Sequence, residues 1–231
     1  LKQHGFARNL PWQLQLLEDQ SGVRLALRDT EETLAAYPFS FLVEMEIRPG
    51  AQALEIHTKI QNRSESVMPF SFGLHPYFNI SDLAQTDLAG LNDRCLNHLE
   101  MAETDTASQL GRLPDGVDFL CRPAGPVTLI DRTNGQQLQL QHQDPMDLTV
   151  IRTEPPRAMV CVEPWTGPRQ SLISGDRKLE IQPGASTALK FGSFHFLLRL
   201  GHACLHVLRL LHEFLHIHHV GSFINRGSVR P

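Results

Sequence analysis

The chain has 231 residues, 41% of them hydrophobic and 20% charged, which fits a soluble globular protein able to bury a core. Its formal net charge of −4 comes without a block of like charges, which excludes the basic face of a nucleic-acid-binding protein. The cysteines Cys95, Cys121, Cys161 and Cys204 show no Cys-x-x-Cys spacing. They read as reduced thiols of a cytoplasm-like compartment, not a disulfide framework.

No signal-peptide pattern opens the chain, and Leu1 leads almost directly into His4-Gly5. The start therefore reads as an N-terminal truncation, with a lost targeting segment left open. Strand-like alternation follows in Trp12–Leu16, Val23–Arg28, Phe39–Arg48 and Leu54–Ile60, with one helical turn over Thr30–Ala36. Val67–Leu74 predicts the strand that carries His75. Val127–Ile130 and Gln137–Gln141 flank Asn134-Gly135, a hairpin signal, because Asn-Gly tolerates positive φ. Leu148–Ile151, Ala158–Val162 and Leu179–Gln182 are further short strands. Many antiparallel strands with little helix predict a sandwich-type all-β fold.

Four blocks carry ionisable residues in strand-end settings. In Phe70-Ser71-Phe72-Gly73-Leu74-His75-Pro76-Tyr77-Phe78 an apolar run delivers one imidazole to a rim, a proline stops the ladder, and aromatics wall it. An imidazole in that setting is either a general acid or base or a plain strand-end cap. In Met159–Pro168 a glutamate, Glu163, follows Val160-Cys161-Val162 and precedes Pro164-Trp165. A carboxylate there is costly to bury without a purpose; the alternative is an edge-strand carboxylate paired with Arg169 or Arg157. His4-Gly5-Phe6-Ala7-Arg8-Asn9 joins an imidazole to a glycine that allows close approach and to an arginine suited to anions or hydroxyls. Asp118 follows the turn Asp115-Gly116, where ordinary turn chemistry is its competing role.

These blocks, in this order over residues 4–190, resemble the aldose 1-epimerase (mutarotase) family. The first block is more similar to the hexose-6-phosphate branch than to the galactose branch. The resemblance implies a β-supersandwich and interconversion of α and β sugar anomers. It implies His75 as the acid for the ring oxygen and Glu163 as the base for the anomeric hydroxyl. It further implies His4, Arg8 and Asp118 as contacts to the sugar or its phosphate. Phe72, Tyr77, Phe78 and Trp165 would shield the pair or stack on the sugar. The implied chemistry needs no metal or organic cofactor, and the implied partner is a small sugar or sugar phosphate, with no nucleic acid and no membrane. Against the family pattern, N-terminal strands and an arginine on them are missing, which predicts exposed sheet edges. Arg152 stands where an aromatic is expected. The other reading keeps the cleft without turnover, as a carbohydrate-binding relative or an inactive truncated isoform.

Residues 1–196 thus read as a partial β-domain, and 197–231 as a leucine- and histidine-rich helical tail without a family counterpart. The tail holds His212-Glu213-Phe214-Leu215-His216, a match to the His-Glu-x-x-His zinc pattern. With no third ligand at a family spacing, it reads as coincidence, and adventitious zinc or nickel binding by His202/His206 or His212/His216 is the stronger expectation.

Overall fold

The computed structural model describes residues 4–197, with residues 191–197 described by backbone alone. The tail beyond Leu197 and its histidine pattern lie outside the described residues. In chain order the strands are β1 (Gln13–Leu16), β2 (Val23–Arg28), β3 (Phe41–Pro49), β4 (Ala53–Asn62), β5 (Met68–Phe70), β6 (Tyr77–Asn79) and β7 (Thr86–Asn97). There follow β8 (Ala102–Asp105), β9 (Asp118–Asp131), β10 (Gln136–Leu140), β11 (Leu148–Thr153), β12 (Met159–Trp165), β13 (Leu179–Ile181) and β14 (Ser186–Leu197). Short helices α1 (Glu31–Ala36), α2 (Thr106–Leu110) and α3 (Ser171–Ser174) interrupt them. Thr30 caps α1 in a reciprocal capping box with Thr33, and Glu31 and Glu32 face its positive end, which lets so short a helix form.

Among the described residues one sheet runs β1-β2-β3-β4-β14-β10-β9-β11-β12-β6, with β7 on β9 and β8 on β7, and every pairing is antiparallel. Alternation decides which face is buried. Val43, Met45, Ile56 and Ile60 from one half of the sheet join Phe119, Ile151, Val160 and Val162 from the other half in a single core cluster. The two halves therefore face one another as the layers of a sandwich. The Asn134-Gly135 hairpin forms, with Gly135 at φ 74° between β9 and β10. At the far edge β1 leaves Leu14 and Leu16 exposed. No helix among the described residues is long and apolar enough to cross a membrane.

The expected strand over Val67–Leu74 is corrected. Only Met68–Phe70 is a strand, and it pairs with β13 in a separate two-stranded sheet. The chain then crosses to the edge of β12, where Gly73 bridges Trp165 and Tyr77–Asn79 pairs with Cys161, Val160 and Met159. Pro76 has no N–H, so it interrupts this ladder, which resumes at once.

Thr166 clamps the start of the crossing. Its N–H donates to Phe72 O, and its Oγ1 accepts from Phe72 N, both at 2.9 Å. Thr166→Val leaves a buried Phe72 N–H unpaired and is expected to cost about 1–3 kcal/mol in urea unfolding. Thr166→Ser, which keeps the acceptor, should stay within about 1 kcal/mol of the parent. Equal losses in the two variants would remove the clamp from this account.

Candidate active site

The register of the sheet builds the site on the face opposite the main core. Antiparallel partners share a face. Asp118 pairs with Arg152, Arg152 with Cys161, and Cys161 with Tyr77. These four side chains form one rank across β9, β11, β12 and β6. His98 extends it, because Asn97 pairs with Phe119 and the next step sets His98 beside Asp118, where its N–H donates to Asp118 O at 2.8 Å. The next rank holds Leu96, Leu120, Val150 and Glu163. Gly73 faces Trp165 and Tyr77 faces Cys161, so the position midway, His75, lies opposite Glu163.

That opposition is realised in contact. His75 Nδ1 lies 3.3 Å from Glu163 Oε1, and the two residues are only 3% and 1% exposed. Trp165 Nε1 donates to Glu163 Oε2 at 3.2 Å. Tyr77 stacks on His75 with ring centroids 4.8 Å apart, and His4 meets His75 edge-on at 5.5 Å. Leu120, Leu148, Val150 and Trp165 form a small apolar cluster around Glu163's rank. His4 itself sits at φ 73° and Gly5 at φ 62°, a left-handed turn in which glycine is favoured at the second position. Arg8 follows in a short 3₁₀ turn, Ala7–Asn9.

Burial sets the electrostatics. It pushes the Glu163 carboxyl up to about 8; Asp118's charge adds to this, while the Trp165 hydrogen bond and the charges of Arg152 and Arg169 oppose it. Burial also lowers His75 to about 3, helped by His4, Arg152 and Arg8. His4 falls to about 4, through burial first and then the Arg8, Arg169 and Arg152 charges. At neutral pH the pair therefore holds one proton, on the carboxyl, beside a neutral imidazole. Asp118 behaves oppositely. Burial alone would raise it, but His98 Nδ1, 2.7 Å from Oδ1, and Arg169 Nη2, 2.8 Å from Oδ2, hold it below the usual carboxylate range.

All five sequence-derived candidates, His4, Arg8, His75, Asp118 and Glu163, converge here. The alternative pairing of Glu163 with Arg169 or Arg157 is not made: Arg169 holds Asp118, and Arg157 holds Glu154 at 3.3 Å. Of the four aromatics, Tyr77 and Trp165 border the pair, whereas Phe72 and Phe78 belong to the main core, because alternation turns them to the other face. His98 escaped sequence reasoning; its signal is visible only once β7 and β9 are aligned. Arg152 enters the site as a cation at a rank position facing Cys161.

A family model described as aldose 1-epimerase matches residues 1–175. A curated Escherichia coli protein named "Putative glucose-6-phosphate 1-epimerase" is 31% identical over 191 residues, covering 76% of this chain and 55% of the relative. The Salmonella typhimurium protein of the same name is 29% identical over 184 residues, with the same coverage of 76% and 55%. The chain thus spans about half the length of the curated relatives it matches. A solved Synechocystis structure superposes with a TM-score of 0.79 at 28% identity, over 85% of this chain and 69% of that one. A Lactobacillus acidophilus structure described as a galactose mutarotase related enzyme shares the fold, with a TM-score of 0.69 at 21% identity over 86% and 75% of the two chains.

The shifted groups predict how stability depends on pH. Glu163 is raised from 4.5, so its contribution is complete below pH 4.5 and is lost as pH rises through about 8. His4, His75 and His142, the last just after β10 and lowered by burial, fall from 6.5, so theirs is complete above pH 6.5 and is lost as pH falls toward 3–4. Stability should peak near pH 6.5 and decline toward pH 8. In Glu163→Gln the alkaline decline should vanish while the acid limb remains. Thermal melts from pH 4 to 8 check this, and an unchanged alkaline limb in the variant would refute the buried proton.

Proposed function

The chain belongs to the aldose 1-epimerase family, and from that premise we propose that it interconverts the α and β anomers of a hexose or hexose 6-phosphate. The observation that carries this reading is the buried contact between His75 and Glu163. Ring opening needs a proton delivered to the ring oxygen and one removed from the anomeric hydroxyl. Both oxygens sit on one carbon, and two side chains that face each other across β12 and its edge segment match two such neighbouring oxygens.

In the proposed cycle His75 protonates the ring oxygen and Glu163 takes the hydroxyl proton. The resting site carries the opposite tautomer, with the proton on Glu163. The starting state is then reached by moving that proton across the 3.3 Å gap to His75. Opening returns the site to a neutral imidazole and a protonated carboxyl, the arrangement that burial prefers. The open aldehyde rotates about C1–C2 and recloses on its other face, with the roles exchanged. Asp118, kept ionised by His98 and Arg169, accepts hydrogen bonds from sugar hydroxyls. His4 contacts the sugar near the reacting carbon, and Arg8 contacts a hydroxyl or phosphate. None of these steps requires a cofactor. The free thiols of Cys95, Cys121 and Cys161 favour a reducing, cytoplasm-like location.

Anomeric exchange followed by NMR on glucose, galactose and glucose 6-phosphate tests the proposal. The chain should accelerate exchange of at least one of them. His75→Ala and Glu163→Gln should each lose roughly 10²–10⁴-fold, and the double variant little more, because the two act as a unit. Exchange at the spontaneous rate with every aldose refutes the reading; sugar binding without exchange favours a carbohydrate-binding module.

A further inference from the structure

The same rank geometry brings a third donor to the pair. Cys161 and Glu163 are two residues apart on β12 and share a face, and His75 faces that strand from the edge segment. A ring nitrogen of His75, Cys161 Sγ and a Glu163 carboxylate oxygen all lie within 4.8 Å of one another, and all three residues are buried. His75 Nδ1 makes no well-aligned hydrogen bond, although it contacts Glu163 Oε1. Among the described residues the Cys161 thiol has a hydrogen-bond contact with the Met159 sulfur, at 3.9 Å.

We propose that His75, Cys161 and Glu163 form a binding site for a zinc-like divalent cation, and that an ion bound there blocks the proton transfer of the site. One nitrogen, one sulfur and one oxygen donor make the borderline-soft set that zinc takes, in the three-ligand form that leaves a fourth position open. Bonds of about 2.0–2.3 Å would place the ligand atoms about 3.5 Å apart, so side-chain adjustments of about 1 Å close the site. Binding would release the thiol and carboxyl protons to solvent and leave thiolate, carboxylate and neutral imidazole around the dication, with no net charge. The sugar must reach His75 and Glu163 as well, so the ion shares its route of entry. Ion binding stands on geometry alone, whereas inhibition rests on the epimerase reading.

The test uses the full chain with Cys204→Ser, which removes the thiol of the tail from the measurement. Cobalt(II) is added first, because a sulfur-to-cobalt charge-transfer band reports thiolate ligation that histidines of the tail cannot produce. Zinc is then titrated in competition with a chromophoric chelator. The expected result is one thiolate-ligated cobalt per chain, with the band abolished by both Cys161→Ser and Cys161→Ala and weakened at least tenfold in affinity by His75→Ala. Zinc should inhibit anomeric exchange at the occupancy midpoint. Measured against each variant's own rate, inhibition should weaken at least tenfold in Cys161→Ser. Absence of the thiolate band, or a band and inhibition that survive both Cys161 variants, overturns the proposal. A band lost with Cys161 in a chain that catalyses no exchange leaves the ion site standing and removes the epimerase reading instead.

Discussion

The site depends on one register. The edge segment Gly73–Asn79 runs antiparallel to β12 with no slip from its first bridge to its last pair. Side chains alternate with a period of two, so a one-residue shift would send His75 into the main core and bring Leu74 or Pro76 to face Glu163. Pro76 sits inside this ladder and removes a donor, yet the segment is held on both sides of it. Thr166 fixes Phe72, Leu74 N donates to Pro164 O at 3.0 Å, and Tyr77–Asn79 rejoins the sheet. Packing of Phe72, Leu74 and Phe78 into the core reinforces the same phase, because those residues cannot be buried unless His75 and Tyr77 point the other way.

The two carboxylates on this face are driven apart by their surroundings. Glu163 sits in a rank of Leu96, Leu120 and Val150, where ionisation is expensive and the proton is retained. Asp118 sits in a rank with His98 and Arg152 and is gripped by Arg169, so it stays charged. Two carboxyls in opposite protonation states on one face are what acid–base chemistry near neutral pH needs. Here the difference follows from the amino-acid types in two neighbouring ranks of a sheet. Moving either group by two residues along its strand would exchange its surroundings.

Much of this was legible in the sequence. The alternation of Phe41–Pro49 and Ala53–Asn62 is regular because one face is core throughout, and the helical turn near Thr30–Ala36 and the Asn134-Gly135 hairpin are local signals that tertiary structure did not override. The chemical candidates were readable because an ionisable residue followed by proline and an aromatic is rare inside an apolar run. Other elements were hidden. β7 shifts register around Gly90, and β9 carries Pro123 and Pro126 where the two strands slip, so neither shows a clean period of two. β14 is broken at its own bulge between Phe191 and Ser193. The partners of Asp118 were hidden for a different reason. His98 and Arg169 are separated from it by 20 and 51 residues, and only the assembled sheet makes them neighbours.

Burial gives the pair its single proton, and the arginines adjust how firmly it is held. Burial disfavours both an imidazolium and a carboxylate, so on its own it makes His75 and Glu163 neutral. Positive charge acts differently on the two. At His75 the charges of Arg152 and Arg8 add to burial and oppose a second proton. At Glu163 the charges of Arg152 and Arg169 oppose burial and make the carboxyl proton easier to release. Arg152, at the rank position where an aromatic was expected, is common to both effects. An aromatic there would deepen burial while giving up that charge: the Glu163 carboxyl would hold its proton more tightly, whereas at His75 the two changes would oppose each other. A cation in that place opposes a second proton on the pair and makes the carboxyl proton easier to transfer.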